Sequence, residues 1–220
     1  MLKQFFARFK KKPKKDIKFK AVVSYTTRPK RTYETDGVEH YFVNDEKATK
    51  ILADEPICAY TEIGPYVYFV TKEEIQKPEN NLYIIDPDGI KYLFNRWKYI
   101  RNFMIIYIDT DKYTRDERAK NRPGYNEEIY KNRVESEDVQ FSKFEVNILS
   151  RYHRNIVEHR MYDDIRICHI YNEGSLKRSL KKVRKFIEDT YDSNVMYLVV
   201  GRTCSGKDTI CNKLVKGELE

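Results

Sequence analysis

The 220-residue chain has no apolar run near the ~20 residues that a membrane-crossing helix needs. Its N-terminus lacks the apolar stretch and small-residue cleavage pattern of a secretory signal. Four cysteines occur, Cys58, Cys168, Cys204 and Cys211, and no two are spaced as C-x-x-C. That argues against a disulfide framework and a zinc site and fits a reducing, cytoplasmic setting. There is no internal repeat, and a single lysine run is the only low-complexity stretch. What the chain does have is core material, 40% hydrophobic and 14% aromatic residues, under a surface made wet by 35% charged residues. The formal charge is +8, and much of the excess lies in Lys10, Lys11, Lys12, Lys14 and Lys15. Residues 1–16 therefore read as a basic leader, a solvated tail with a possible weak contact to polyanions. Leu2, Phe5, Phe6 and Phe9 fall at helical spacing just before the run and predict a short helix that docks on the core, with a lipid surface as the alternative.

Beyond the leader, apolar strands alternate with helical patterns. Strands are predicted over 19–25, 81–86, 103–109, 165–171 and 195–200. Residues 112–160 are charged and mostly helical in pattern, and 175–189 form a basic amphipathic helix with Leu176, Leu180, Val183 and Ile187 on one face. This alternation predicts an α/β domain built on a mainly parallel sheet flanked by helices. Short aromatic strands (HYFV, PICAYTEI, YVYFV) with one helix-like piece between them, DEKATKILA, predict an inserted antiparallel lobe. Pro87-Asp88-Gly89 reads as a turn.

The strongest motif is Gly201-Arg202-Thr203-Cys204-Ser205-Gly206-Lys207-Asp208-Thr209, a GxxxxGK loop between the apolar strand VMYLVV and a predicted helix. Glycines let successive backbone N–H groups converge on phosphate oxygens, the helix N-terminus adds a positive dipole end, and Lys207 adds a full charge. The place after the lysine usually holds a Ser or Thr that binds Mg²⁺. Here it holds Asp208, also a hard oxygen ligand, followed by Thr209. Asp86, closing an apolar strand, reads equally as a holder of a metal-bound water and as a helix or turn cap. Cys204 reads as a small residue facing the loop interior.

Several segments resemble the guanylate kinase family. Ser24-Tyr25-Thr26-Thr27-Arg28-Pro29-Lys30-Arg31 is similar to its STTRxxR acceptor-phosphate motif, and Asp36 to Val43 to the DGxxYxF segment that follows. Tyr66 to Glu74 resembles its YYGTSKEE stretch. Arg118, Arg122 and Arg133 fall where its lid arginines fall. The likeness runs from about residue 17 to 216.

The resemblance implies one domain over 17–220, with a nucleoside-monophosphate (NMP) lobe at about 32–80, a lid at about 112–135 and the phosphate-loop strand and helix at 195–216. It implies ATP and Mg²⁺ at Gly201–Thr209, with Asp208, Thr209 and Asp86 near the metal. It places the acceptor nucleotide at Ser24, Arg28, Arg31, His40 and Tyr68, and catalytic charge on Lys207, Arg118, Arg122 and Arg133. Positions that contact the base in the family hold Ala59, Val70 and Ile84 here, so acceptor base and sugar stay open, as does the oligomeric state.

The family begins with its phosphate loop, whereas this chain ends with one. The order implies circular permutation, with residues 190–194 as the new join; a truncated second domain starting at 195 is the alternative. ATP-dependent phosphorylation of a nucleoside or deoxynucleoside monophosphate is the leading function. A guanylate-kinase-like binding module with impaired catalysis is the alternative, and a nucleic-acid binder using the lysine run is a third.

Overall fold

The computed structural model describes residues 17–98, 100–145, 166–191 and 194–218. The basic leader, the end of the predicted 112–160 helical stretch and part of the proposed join lie outside the described residues.

Two four-stranded sheets organise the chain. The larger holds β5 (Leu82–Ile84), β6 (Asn102–Asp109), β7 (Ile167–Tyr171) and β8 (Val195–Val200) in the order β5-β8-β6-β7. Every pairing in it is parallel. VMYLVV is therefore an inner strand, and all six of its residues are buried. A strand covered on both faces is expected to be apolar throughout. Met196, Leu198 and Val200 face one cluster, with Ile90 and Leu93 of α3 (Pro87–Trp97) and Phe141 and Phe144 of α5 (Glu127–Phe144). Val195, Tyr197 and Val199 face the other, with Leu180, Val183 and Ile187 of α6 (Leu176–Thr190) and Ile210 and Leu214 of α7 (Lys207–Lys216). Burying each of these aliphatic side chains contributes about 1.5–3 kcal/mol. Truncating Leu198, central and fully buried, to alanine is expected to cost about 2–5 kcal/mol.

The smaller sheet has the order β2-β1-β4-β3, from β1 (Ser24–Thr26), β2 (His40–Phe42), β3 (Ile57–Ile63) and β4 (Tyr66–Thr71). Helix α1 (Asp45–Asp54) packs on it through Ala48, with Ile57 and Phe69 in the same cluster. It is not purely antiparallel as the sequence predicts, because β1 and β2 run parallel. The sheet also starts at Ser24, ahead of the predicted lobe boundary. The predicted strand over 19–25 divides between the two sheets. Ala21 bridges Leu82 in the large sheet, and Ser24 begins pairing in the small one. One extended segment thus ties the layers together.

A second correction concerns Pro87-Asp88-Gly89, which opens α3 rather than making a turn. The Asp86 carboxylate accepts hydrogen bonds from the Asp88 and Gly89 N–H groups, and Pro87 occupies the first turn, where its missing N–H costs nothing. The short helix α2 (Lys72–Gln76) follows β4 directly, and α4 (Lys112–Lys120) follows β6.

Candidate phosphate-binding cleft

The four parallel strands all end on the same side, where an α/β sheet presents its ligand crevice. There β8 runs into the 201–206 loop, and α7 starts at Lys207. The loop needs glycine at both ends. A Cβ on Gly201 would lie 2.3 Å from the Ile108 carbonyl oxygen. Gly206 has φ +96°, and its Cβ would lie 2.5 Å from Asn172 Nδ2. Cys204 also adopts a left-handed conformation, φ 60°, which costs a non-glycine residue on the order of 1 kcal/mol or more and turns the backbone sharply.

The back of the loop is anchored by long-range bonds. The Ser205 carbonyl accepts from Thr110 Oγ1 (3.1 Å), Asn172 Nδ2 (2.8 Å) and Arg118 Nη1 (3.2 Å). Arg202 donates to Asp138 Oδ1 at 2.6 Å and lies over the Phe141 ring. Lys207 is half-buried and donates to the Arg202 carbonyl at 2.8 Å. Burial holds its ammonium below its ordinary pKa, opposed by the nearby Asp208 and Glu137 charges.

One cleft joins this loop to the arginine pair of the small sheet. Gly201, Thr203, Cys204, Lys207 and Asp208 line it from the loop side, and Ser24, Arg28, Arg31, His40 and Tyr68 from the other. Arg122, Arg133 and Asp86 line it too. Arg122 Nη2 lies 3.8 Å from Asp208 Oδ2. Five of the predicted residues lie outside the lining: Arg118, Arg202, Ser205, Gly206 and Thr209. Arg118 differs from the expected lid role. Its guanidinium also donates to the carbonyls of Cys204 (3.3 Å) and Asn172 (2.8 Å), so it braces the loop from behind. Thr209 is exposed on α7 and does not reach the cleft beside Asp208. For Asp86, both hydrogen bonds of the helix cap and a third from Thr61 Oγ1 (2.9 Å) fall on Oδ1.

On the small-sheet side, Arg28 makes a two-pronged contact with Glu34: Nη1 to Oε2 and Nη2 to Oε1, each at 2.9 Å. The Arg31 N–H donates to the same carboxylate at 2.8 Å. Burial pushes the Glu34 pKa up, but the Arg28 and Arg31 contacts outweigh it and hold the carboxyl below its ordinary value. Ser24 Oγ and His40 Nδ1 are hydrogen-bonded at 2.9 Å. Burial, then the Arg28 charge, keeps His40 below its ordinary pKa and so neutral near pH 7.

Two residues that motif reading passed over matter here. Glu34 had a visible signal, an acid three residues after Arg31. Glu137 had none. It lies in a helical stretch crowded with acids, yet it reaches the loop 66 residues away, accepting from Thr203 N at 2.8 Å and Thr203 Oγ1 at 2.6 Å. Near the expected base-contact positions, the cleft presents Ala59, Ile84 and the phenol-bearing Tyr83.

The family model for guanylate kinase matches residues 6–165 of the chain. The curated guanylate kinase of Mycoplasmoides gallisepticum is 24% identical over 153 residues, covering 68% of this chain and 72% of that protein. The guanylate kinase of Thermobifida fusca is 40% identical over 55 residues, 25% of this chain and 28% of that protein. Among solved structures, the crystal structure of guanylate kinase from Anaplasma phagocytophilum matches with a TM-score of 0.50 at 17% identity. It covers 80% of this chain and 78% of that one, a likeness of fold.

Proposed function

The chain belongs to the guanylate kinase family, and from that premise we propose that it transfers the γ-phosphoryl group of ATP to a nucleoside or deoxynucleoside monophosphate. The observation that carries this reading is the shared cleft: a GxxxxGK loop and an arginine pair face one space from two different sheets. Phosphoryl transfer asks little covalent help of a protein. It asks that two polyanions be brought into line and their charge neutralised.

In this reading the 201–207 backbone and Lys207 hold the donor's β- and γ-phosphates. Arg28 and Arg31 hold the acceptor's monophosphate through the guanidinium N–H groups that Glu34 leaves free. An acceptor phosphate oxygen attacks the γ-phosphorus as its bond to the β-bridging oxygen breaks, and ADP leaves with that oxygen. Arg122 and Arg133, already on the cleft wall, stabilise the charge in flight. Arg118 positions the loop rather than touching the phosphates. Asp208, an exposed carboxylate on the cleft wall, is the hard oxygen ligand that would hold Mg²⁺, which would offset phosphate charge there. Asp86 contributes at most its second oxygen, since its first caps α3.

The proposal includes circular permutation of the family's chain order. The family match ends at residue 165, and the phosphate loop follows it. β8 nonetheless pairs on both sides, with β5 and β6, as an integral strand. Helix α7 contacts β5, and Ala21 bridges Leu82 of that same strand, so the loop's helix and the segment leading into the acceptor motif meet at one strand. A second, truncated domain would not place β8 inside the sheet.

A panel of NMPs and dNMPs with saturating Mg-ATP and product detection tests the reading. Turnover with at least one acceptor is expected, and its absence with all of them would leave a nucleotide-binding module instead. That second reading is favoured by Asp208 standing where the motif usually carries a hydroxyl. A cytoplasmic setting fits the four free thiols. Among the described residues, no helix is long and apolar enough to cross a membrane.

A further inference from the structure

Glu137 is an acid where an anion-binding loop would be expected to exclude one. It is 8% exposed, and its carboxylate spans the Thr203 N–H and hydroxyl at 2.8 and 2.6 Å. Its Oε1 also lies 3.3 Å from Nε of Arg133, one turn back on α5. The Lys207 ammonium feels its charge. A carboxylate that accepts a loop amide, a loop hydroxyl and a guanidinium makes the contacts that a phosphate oxygen would make. The next residue, Asp138, ties Arg202 of the same loop to the same helix at 2.6 Å.

We infer that Glu137 is an internal stand-in for the donor's phosphate: it occupies the loop when no nucleotide is bound and must leave when a polyphosphate enters. The inference rests on the proposed function only in treating the loop as an anion site. Two bodies of like charge cannot share the Thr203 amide, so polyphosphate and the Glu137 carboxylate compete for it. Displacement does two things at once. It frees the Thr203 N–H and hydroxyl, and it releases Arg133 from its carboxylate partner so that the guanidinium can turn to the phosphates. In the absence of nucleotide the carboxylate holds the loop curled and, together with Asp208, offsets the positive charge of Lys207, while it pairs with Arg133. The Asp138–Arg202 contact keeps the loop docked on α5 while the plug is out. The device thus sets donor affinity below what the loop alone would give.

The test is a titration of the full chain with inorganic pyrophosphate and, separately, with ATP, read by calorimetry, for wild type, Glu137→Gln and Glu137→Asp. Glutamine keeps the shape and removes the charge; aspartate keeps the charge and shortens the reach. Pyrophosphate is expected to bind Glu137→Gln on the order of tenfold or more tightly than wild type, as loss of a charged competitor for two or three hydrogen bonds requires. Glu137→Asp should fall between, and adenosine, which has no phosphate, should not discriminate among the three. Unchanged or weaker pyrophosphate binding by Glu137→Gln would overturn the inference and make Glu137 a strut of the loop. Thermal melts check that each variant folds; should Glu137→Gln fail to fold, Glu137→Asp decides, with the same sign expected. ATP turnover is a separate readout: its absence with a raised pyrophosphate affinity would refute the kinase reading and leave the plug standing.

Discussion

The two anion sites of this cleft are built on opposite plans. On the acceptor side, Arg28 and Arg31 are gathered by Glu34, an acid of the same short loop, which is 6% exposed. On the donor side, the glycine loop is held by Glu137 and Asp138, from a helix in a different part of the chain. The first arrangement is local and stiff. A carboxylate fixed between two guanidinium-bearing neighbours of its own loop aims them. The second is long-range and rests on one helix face, so it can change with what enters the loop. The acceptor site is preorganised, and the donor site is occupied by a competitor.

Removing the donor-side charge should have the largest effect. Lys207→Ala is expected to lower turnover by ~10²–10³-fold, the scale for losing one transition-state donor, with the acceptor's affinity little changed; single-turnover rates and acceptor titration check it. Breaking the acceptor side should instead damage the fold. Glu34→Ala removes the buried carboxylate that gathers two partly exposed arginines and should cost about 1–3 kcal/mol in urea unfolding. The contrast fails if Glu34→Ala is as stable as wild type. Gly201→Ala, which drives a methyl to 2.3 Å from the Ile108 carbonyl oxygen, should cost about 1–3 kcal/mol by overpacking, seen as a lowered melting temperature.

The smallest effect is a pH dependence. The Glu34 carboxyl titrates below its ordinary value in the fold, so its stabilising contribution is complete above the unfolded-state pKa of ~4.3 and is lost as pH falls through the lower folded value. The stability gap between wild type and Glu34→Gln should be full above about pH 5.5 and close progressively below about pH 4.

Sequence patterns carried what depends on neighbours along the chain. Strand β8, its glycine loop and α7 follow each other within one stretch, and the α6 face follows from period alone. Leu180, Val183 and Ile187 are each at most 2% exposed. The arginine pair was legible for the same reason. Pro87-Asp88-Gly89 reads as a turn because the residues that make a turn also open a helix, while Asp86 is the helix cap that was one of its two readings; Ile90 and Leu93, buried one turn apart, are what carry the chain on as a helix. The parallel pairing of β1 with β2 depends on where a thirteen-residue excursion returns, which no local propensity states. Glu137 was invisible because it is one acid among many on a charged helix, and its partner is set by tertiary packing. Arg118 was legible as a functional arginine, but its direction, toward loop carbonyls rather than the cleft, was not.

The central claim is that donor and acceptor phosphates lie in one space between Lys207 and the Arg28–Arg31 pair. The most direct measurement is calorimetric binding of a bisubstrate analogue, adenosine joined through a five-phosphate chain to the nucleoside of the best acceptor. Binding at least about a hundredfold tighter than ATP or the monophosphate alone is predicted, because the second contact becomes intramolecular, and the gain should vanish in Arg28→Ala and in Lys207→Ala alike. An affinity no better than that of ATP alone would mean that the two sites do not share a cleft.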